Sequence, residues 1–183
     1  MPAGPNLRAA KRIVWPKSQF AMSLVGFEHV FARSVPISFA PNVQFKVAPP
    51  PVIALLKIVA YTEDPYRRRK DLDDLKSLLR YYEAESDRIF GDDVFTAELA
   101  DVEYTNAFLL GSDVGAIATD EDAEIVKGFL SKHRMSEAAL EELDRDDLQQ
   151  RDTLRFHMQL TAFEIGFNAG RQREAGLQSA LVR

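Results

Sequence analysis

Three consecutive prolines at positions 49 to 51 divide the chain into two regions of different character. Proline fixes φ and lacks a backbone N–H, so it disrupts helix interiors and central strands but suits the first position of a helix. Before the prolines, apolar and polar residues alternate around turn residues; after them, apolar residues recur at helical spacing. The pattern predicts an α+β fold in which a small antiparallel β portion precedes a predominantly helical region.

The chain has the composition of one globular domain. Its 183 residues can enclose a sizeable core, and 46% hydrophobic with 28% charged residues is ordinary for such a domain. The predicted boundaries are a single domain over residues 1–183, divided into a β portion at about 12–48, a helical pair at 49–90, a helical region at 93–170 and a tail at 171–183.

The β portion begins loosely and ends in a predicted hairpin. Residues 1–18 are expected to be an irregular lead-in with a strand around Arg12–Trp15, and so loose a start suggests a missing upstream piece. Val35–Phe39 and Val43–Val47 alternate in polarity around a Pro-Asn turn, which predicts a hairpin. Its apolar positions share one face, which we expect the next helix to cover. These positions are Val35, Ile37, Phe39, Val43, Phe45 and Val47.

The helical pair holds an isolated lysine and an acidic cluster. Lys57 is the only charge in a predicted apolar helix over Val52–Tyr61, so it must either reach solvent or meet an opposite charge. A turn with three arginines follows, and then a second predicted helix from about Lys70 to Asp87. Asp71 and Asp74 fall on one side of its first turn, where they suit the helix dipole and could hold Lys57 or an arginine. A structural ion pair and a phosphate-binding lysine both remain open.

Helical patterns continue to the end of the chain. Capping residues such as Thr119 and Ser136 precede two of these segments. The predicted helices are Phe95–Leu110, Asp120–Lys132, a segment from Ser136 to about Leu143, and Asp147–Ala169, followed by a frayed tail or interaction segment.

Charge and composition exclude several classes of protein. A net charge of −5 gives no indication of a nucleic-acid partner. The absence of cysteine excludes disulfides and thiolate chemistry, and no histidine pair stands at zinc-ligand spacing. No run approaches the roughly 20 apolar residues of a membrane span, and the N-terminus lacks the apolar core of a signal peptide. We therefore expect no membrane association and a cytoplasmic location.

The helical pair also carries a family resemblance. Leu56-Lys57-Ile58-Val59-Ala60 matches an apolar-Leu-Lys-x-x-Ala helix, and Lys70-Asp71-Leu72-Asp73-Asp74-Leu75 matches Lys-Asp-x-x-Asp-Leu after an arginine-bearing turn. With the preceding strand pair, this order resembles the second half of bacterial nucleotidyltransferases of the abortive-infection toxin type, within the DNA polymerase β-like superfamily. The resemblance covers about residues 13–116.

The resemblance implies transfer of a nucleotide from an NTP to an acceptor, with Mg²⁺ as cofactor and Lys57, Asp71 and Asp74 as nucleotide- or phosphate-binding residues. The family's metal carboxylates lie in a Gly-Ser…Asp-x-Asp stretch and on a later strand. That portion would lie upstream of Met1, since Glu28 is the only acidic residue before Glu63. We therefore expect a truncated, toxin–antitoxin-related member with no catalytic or metal-binding residue of its own, inactive as the chain stands.

Two later stretches imitate catalytic motifs. Gly111-Ser112 with Asp120-Glu121-Asp122 imitates Gly-Ser…Asp-x-Asp, but the residues after Asp122 have helical period, so a capped helix is the favoured interpretation. Arg151 and His157 stand at the loose spacing of HEPN-type ribonucleases, which an arginine-rich chain reaches by chance.

An alternative function belongs to another class. The chain could be a non-catalytic interaction or regulatory protein that forms a homo-oligomer, or binds a partner protein, through an exposed β edge.

Overall fold

The computed structural model describes residues 11–19, 21–143 and 146–181. The first ten residues of the lead-in expected over residues 1–18 lie outside the described residues. The fold is α+β, with two small antiparallel sheets followed by helices. The strands are β1 (Arg12–Val14), β2 (Ala21–Ser23), β3 (Val35–Ala40) and β4 (Val43–Val47). The helices are α1 (Phe27–Arg33), α2 (Pro50–Glu63), α3 (Arg69–Tyr81), α4 (Asp92–Phe95), α5 (Thr105–Ile117), α6 (Asp120–His133), α7 (Glu137–Glu141) and α8 (Leu148–Leu181).

Helix α2 lies at the centre of the described fold. Pro50 and Pro51 occupy its first turn, where a missing N–H costs nothing. Its apolar side chains lie on nearly every side, because it packs against α3, α5 and α6 and also contacts β2 and α1. The buried residues of α2 are Pro51, Val52, Ala54, Leu55, Ile58 and Val59.

Helix α3 is amphipathic, as its leucine spacing predicts. Leu75 and Leu79 are buried against the core, whereas charged residues occupy the opposite face. The helix ends at Tyr81, several residues before the predicted end near Asp87, because Tyr82 has extended backbone dihedrals. Tyr82 turns its ring inward to pack against the core instead of continuing the helix.

Helices α5 and α8 form the closest helix pair. Gly111 and Gly115 of α5 face Gly166 and Gly170 of α8, and the two backbones approach so closely that a Cβ atom at any of the four would overlap a carbonyl oxygen of the opposite helix. Gly111 therefore lies inside α5, although the sequence suggested a helix end near it. Its role is close packing. The predicted helix over Phe95–Leu110 is not continuous: the segment contains the last residue of α4, a connection with a 3-10 turn at Val102–Tyr104, and the first part of α5.

The segment predicted as a tail is mostly helical. Helix α8 runs to Leu181, well past the predicted end at Ala169. Arg171 donates a hydrogen bond to the Ala118 carbonyl at 2.6 Å and pairs with Asp120, and Arg173 bonds Ser112. These bonds attach the continuation of α8 to α5 and to the start of α6, which corrects the expectation of a frayed end.

The β3–β4 hairpin forms as predicted but is not covered. Ile37 pairs with Phe45 and Val35 with Val47, and Asn42 adopts the positive φ of 65° that a tight turn favours. Every residue of both strands is exposed, and none belongs to the core. The expected cover by α2 is therefore wrong, because α2 is already surrounded by helices, β2 and α1.

Candidate functional site

The structure brings together the three residues that the sequence singled out. Lys57 projects from α2 toward the first turn of α3, where its ammonium donates to Asp71 Oδ1 at 2.7 Å and to Asp74 Oδ2 at 2.6 Å. Asp71 is 9% exposed, and its second oxygen, Oδ2, lies 3.5 Å from the Arg68 guanidinium. Asp71 thus lies between two cations and accepts one contact from each. We call these four residues the Lys57 cluster.

The cluster is electrostatically balanced. Burial alone lowers the pKa of Lys57, but hydrogen bonds to Asp71 and Asp74 outweigh it and raise that pKa. The hydrogen bond from Lys57 lowers the pKa of Asp74. The two cations and the two carboxylates together have a formal charge of zero. The contacts from Asp71 and Asp74 fix the position of the Lys57 ammonium, and Asp71 also contacts Arg68. The stabilisation from the Lys57–Asp74 pair is therefore full between the unfolded-state pKa values of about 4 and about 10, and it is lost as the pH falls through the lowered pKa of Asp74 or rises through the raised pKa of Lys57.

Two clefts adjoin the cluster. The first, of about 860 Å³, is lined by Lys57, Asp74 and mostly apolar or acidic residues such as Ile53, Tyr81 and Glu83. The second, of about 730 Å³, lies between the β1–β2 ribbon and the turn after α2. Its charged lining residues are Lys11, Arg12, Arg67, Arg68, Glu63, Asp64 and Glu121. Arg68 therefore belongs both to the Lys57 cluster and to the lining of the second, polar cleft. The spacing of residues along the sequence does not predict this cleft.

Replacing Lys57 by methionine tests how much the ion pairs stabilise the fold. Lys57→Met leaves the nearly buried Asp71 carboxylate with only the distant Arg68, so we expect a loss of about 1 to 2 kcal/mol in the free energy of unfolding. Urea unfolding at pH 7 measures it. The double variant Lys57→Met/Asp71→Asn removes the orphaned charge and should recover part of that loss. Equal stability of Lys57→Met and the wild type would contradict a structural role for the ion pairs.

Asp122 caps α6 and does not belong to a strand motif. Its Oδ2 accepts hydrogen bonds from the Thr119 N–H at 2.9 Å and the Thr119 hydroxyl at 2.7 Å, while its own N–H donates to Thr119 Oγ1. This reciprocal capping box confirms the helical interpretation of the segment from Asp120. Asp120 itself is exposed and pairs with Arg171.

A buried histidine joins the same carboxylate. His29 Nε2 lies 2.9 Å from Asp122 Oδ2, and both side chains are almost fully buried. Burial alone raises the pKa of Asp122, but hydrogen bonds from His29 and Thr119 lower it overall. Within the described residues, Glu28, His29 and Asp122 are the one group whose potential metal-ligand atoms lie within 4.8 Å of each other. Nothing in the sequence indicated a role for His29, because its partner Asp122 lies 93 residues further along the chain.

The arginine and histidine at ribonuclease-like spacing do not form a site. His157 accepts a weak hydrogen bond from the Met135 N–H at 3.4 Å, and burial together with the nearby Arg134 lowers its pKa. Arg151 lies exposed in the first turns of α8. His157 is therefore a partly buried helix residue that closes the turn before α7.

No protein-family model, curated protein or solved structure matches this chain. Across the described parts of the chain, no helix combines the length and the apolar character that crossing a membrane requires.

Proposed function

We propose that this protein is a nucleotidyltransferase-like scaffold that binds the phosphates of a nucleotide without catalysing transfer. The observation that carries the proposal is the position of Asp71 between Lys57 and Arg68, with one oxygen toward each cation. Lysine is a compact charge suited to phosphate, and arginine is a planar donor that can hold two phosphate oxygens, so Lys57 at the first cleft and Arg68 at the second are each chemically suited to a phosphate group. Asp71 and Asp74 are positioning residues in this proposal.

The Lys57 cluster supports binding better than catalysis. Metal-assisted transfer needs carboxylates that converge on an open metal position. Asp71 and Asp74 are both committed to Lys57, and the one group of three potential metal ligands among the described residues contains neither of them. Mg²⁺ would then reach the protein with its NTP and not through a protein cage.

A binding experiment tests the nucleotide proposal. Titration of ATP, GTP, CTP and UTP, each with Mg²⁺, should give saturable heat for at least one. We expect Lys57→Met and Arg68→Met each to weaken that binding at least tenfold, which is the effect of losing a charged hydrogen-bonding partner. Lys127→Met is the matched control, because Lys127 also pairs with a carboxylate but lies exposed on α6. No binding, or equal loss in the control, would overturn the proposal.

A transfer assay tests the absence of catalysis. Incubation with labelled NTPs, Mg²⁺ and RNA or protein acceptors should leave the acceptors unlabelled. Label transfer that is lost in Asp120→Ala would contradict this expectation and identify the segment after Thr119 as catalytic.

A second candidate function is a non-catalytic interaction protein in the cytoplasm. The observation that favours it is the exposed apolar face of the β3–β4 hairpin, because monomeric proteins rarely leave a contiguous apolar patch of this kind in water. This candidate does not depend on nucleotide binding, and one protein can have both properties.

A further inference from the structure

One side of the β3–β4 hairpin is an exposed apolar surface, which we call the hairpin face. Its central pair, Ile37 and Phe45, is 49% and 55% exposed, and Phe39 at the turn end is 79% exposed. The remaining members are Val35, Val43 and Val47. None of the six carries a charge or a polar side-chain atom.

The hairpin face has defined contacts between its two strands. Val35 and Ile37 lie directly opposite Val47 and Phe45, and an irregularity in the register lies between Ser38 and Ala40. The Phe39 and Phe45 rings meet edge to face with centroids 5.9 Å apart. The apolar side chains of the face therefore contact one another across the two strands.

Nothing in the described part of this chain covers the face. The hairpin packs mainly within itself, and its residues are absent both from the core and from the partly buried shell around it. A two-stranded hairpin is marginally stable in water on its own and needs further strands or a packed layer over its apolar side. A covering surface must therefore come from outside the described residues.

We propose that a second copy of this chain covers the hairpin face, so that two hairpins pack face to face as a two-layer β sandwich. The proposal rests on the second candidate function and names its partner. An apolar face without charges is complementary to itself, and a two-fold axis places the same six residues on both sides. From the exposed fractions of its side chains, each face offers roughly 600 Å² and two faces together about 1,200 Å², which reaches the size of a specific interface.

Pro36 disfavours edge pairing through β3, and the net charge disfavours a membrane as the covering layer. Pro36 lies in β3, and strand prolines occur where the missing N–H points away from the paired strand, so the free edge of β3 lacks a donor. The protein also carries a net charge of −5, which disfavours anionic membrane surfaces as the covering layer. A second copy needs neither a free edge nor a basic rim.

The oligomeric state of matched variants tests the proposal. Light scattering after size-exclusion chromatography should give twice the chain mass for the wild type, and the chain mass for Ile37→Asp/Phe45→Asp. The matched control is Ser38→Asp/Gln44→Asp, which adds the same charges to a directly opposed pair on the other side of the hairpin. This control should remain dimeric. Circular dichroism melting should show that both variants keep the helical body, since no hairpin residue belongs to the core.

Three results would overturn the proposal. A monomeric wild type at every accessible concentration excludes self-association, and binding of that monomer to lipid vesicles would identify the covering layer as a membrane. If Ile37→Asp/Phe45→Asp remains dimeric, the hairpin face is not the dimer interface. The second candidate function, an interaction protein, would still stand. A dimer lost equally in both double variants assigns the interface to hairpin folding in general and not to this face.

Discussion

Gly166→Ala should destabilise the protein by about 3 kcal/mol, because a methyl group there has no space between α5 and α8. The new Cβ would overlap the Phe108 carbonyl oxygen and lie only 2.8 Å from its carbon and 2.9 Å from Ser112 N. These are backbone atoms within a helix, so the helices must separate. For a chain of this length the melting temperature should fall by about 6 to 12 °C.

Gly176→Ala is the matched control on the same helix. A Cβ at Gly176 meets nothing within 4 Å, and alanine is a better helix former than glycine by up to about 1 kcal/mol. Calorimetry should therefore find the control at or above the wild-type melting temperature. Equal melting of Gly166→Ala and Gly176→Ala would show that the two backbones are not in close contact in solution.

Asp122→Ala should cost a similar amount for a different reason. The substitution removes the Asp122 half of the capping box, worth about 1 kcal/mol, and leaves the buried His29 without its acceptor, at a cost of about 2 kcal/mol. The Thr119 hydroxyl still accepts from the backbone N–H of residue 122. Chemical unfolding at pH 7 measures the sum. Glu124→Ala on the same helix is the control, because Glu124 is exposed and makes only a local ion pair; its stability should match the wild type.

The effect of Asp122→Ala should depend on pH in a defined direction. Hydrogen bonds hold the pKa of Asp122 below its ordinary value despite burial. A carboxyl with a lowered folded-state pKa contributes its full stability above the unfolded-state pKa of about 4 and loses it as the pH falls through the folded-state value. The stability gap between variant and wild type should therefore be full at pH 7 and narrow in acid. A gap that widens in acid would contradict the assigned bonds.

Much of the fold can be predicted from local patterns in the sequence. The prolines before α2, the leucine spacing of α3 and the Thr119 cap of α6 each place a helix within a few residues of its observed position. Alternation and a Pro-Asn turn likewise place the hairpin strands. These signals are local, so one segment suffices to show them.

Contacts between distant segments explain what the sequence could not show. Apolar alternation indicates that the hairpin has a face to cover but not which element covers it, and α2 packs against other partners. Gly111 looks like a helix end by itself and becomes a packing position only beside α8. The pairing of Lys57 with Asp71 and Asp74 was predictable because one short turn joins their helices, whereas His29 and Asp122 are 93 residues apart.

The glycine contact between α5 and α8 also sets the order in which the chain can acquire structure during synthesis. Helix α8 emerges from the ribosome after all the other described elements, so α5 leaves the exit tunnel well before its partner. Until then Phe108 lacks part of its covering, whereas α2 and α3 can already pair locally. We therefore expect the nascent chain to expose apolar surface until α8 has been synthesised, and chaperones commonly protect such exposed segments.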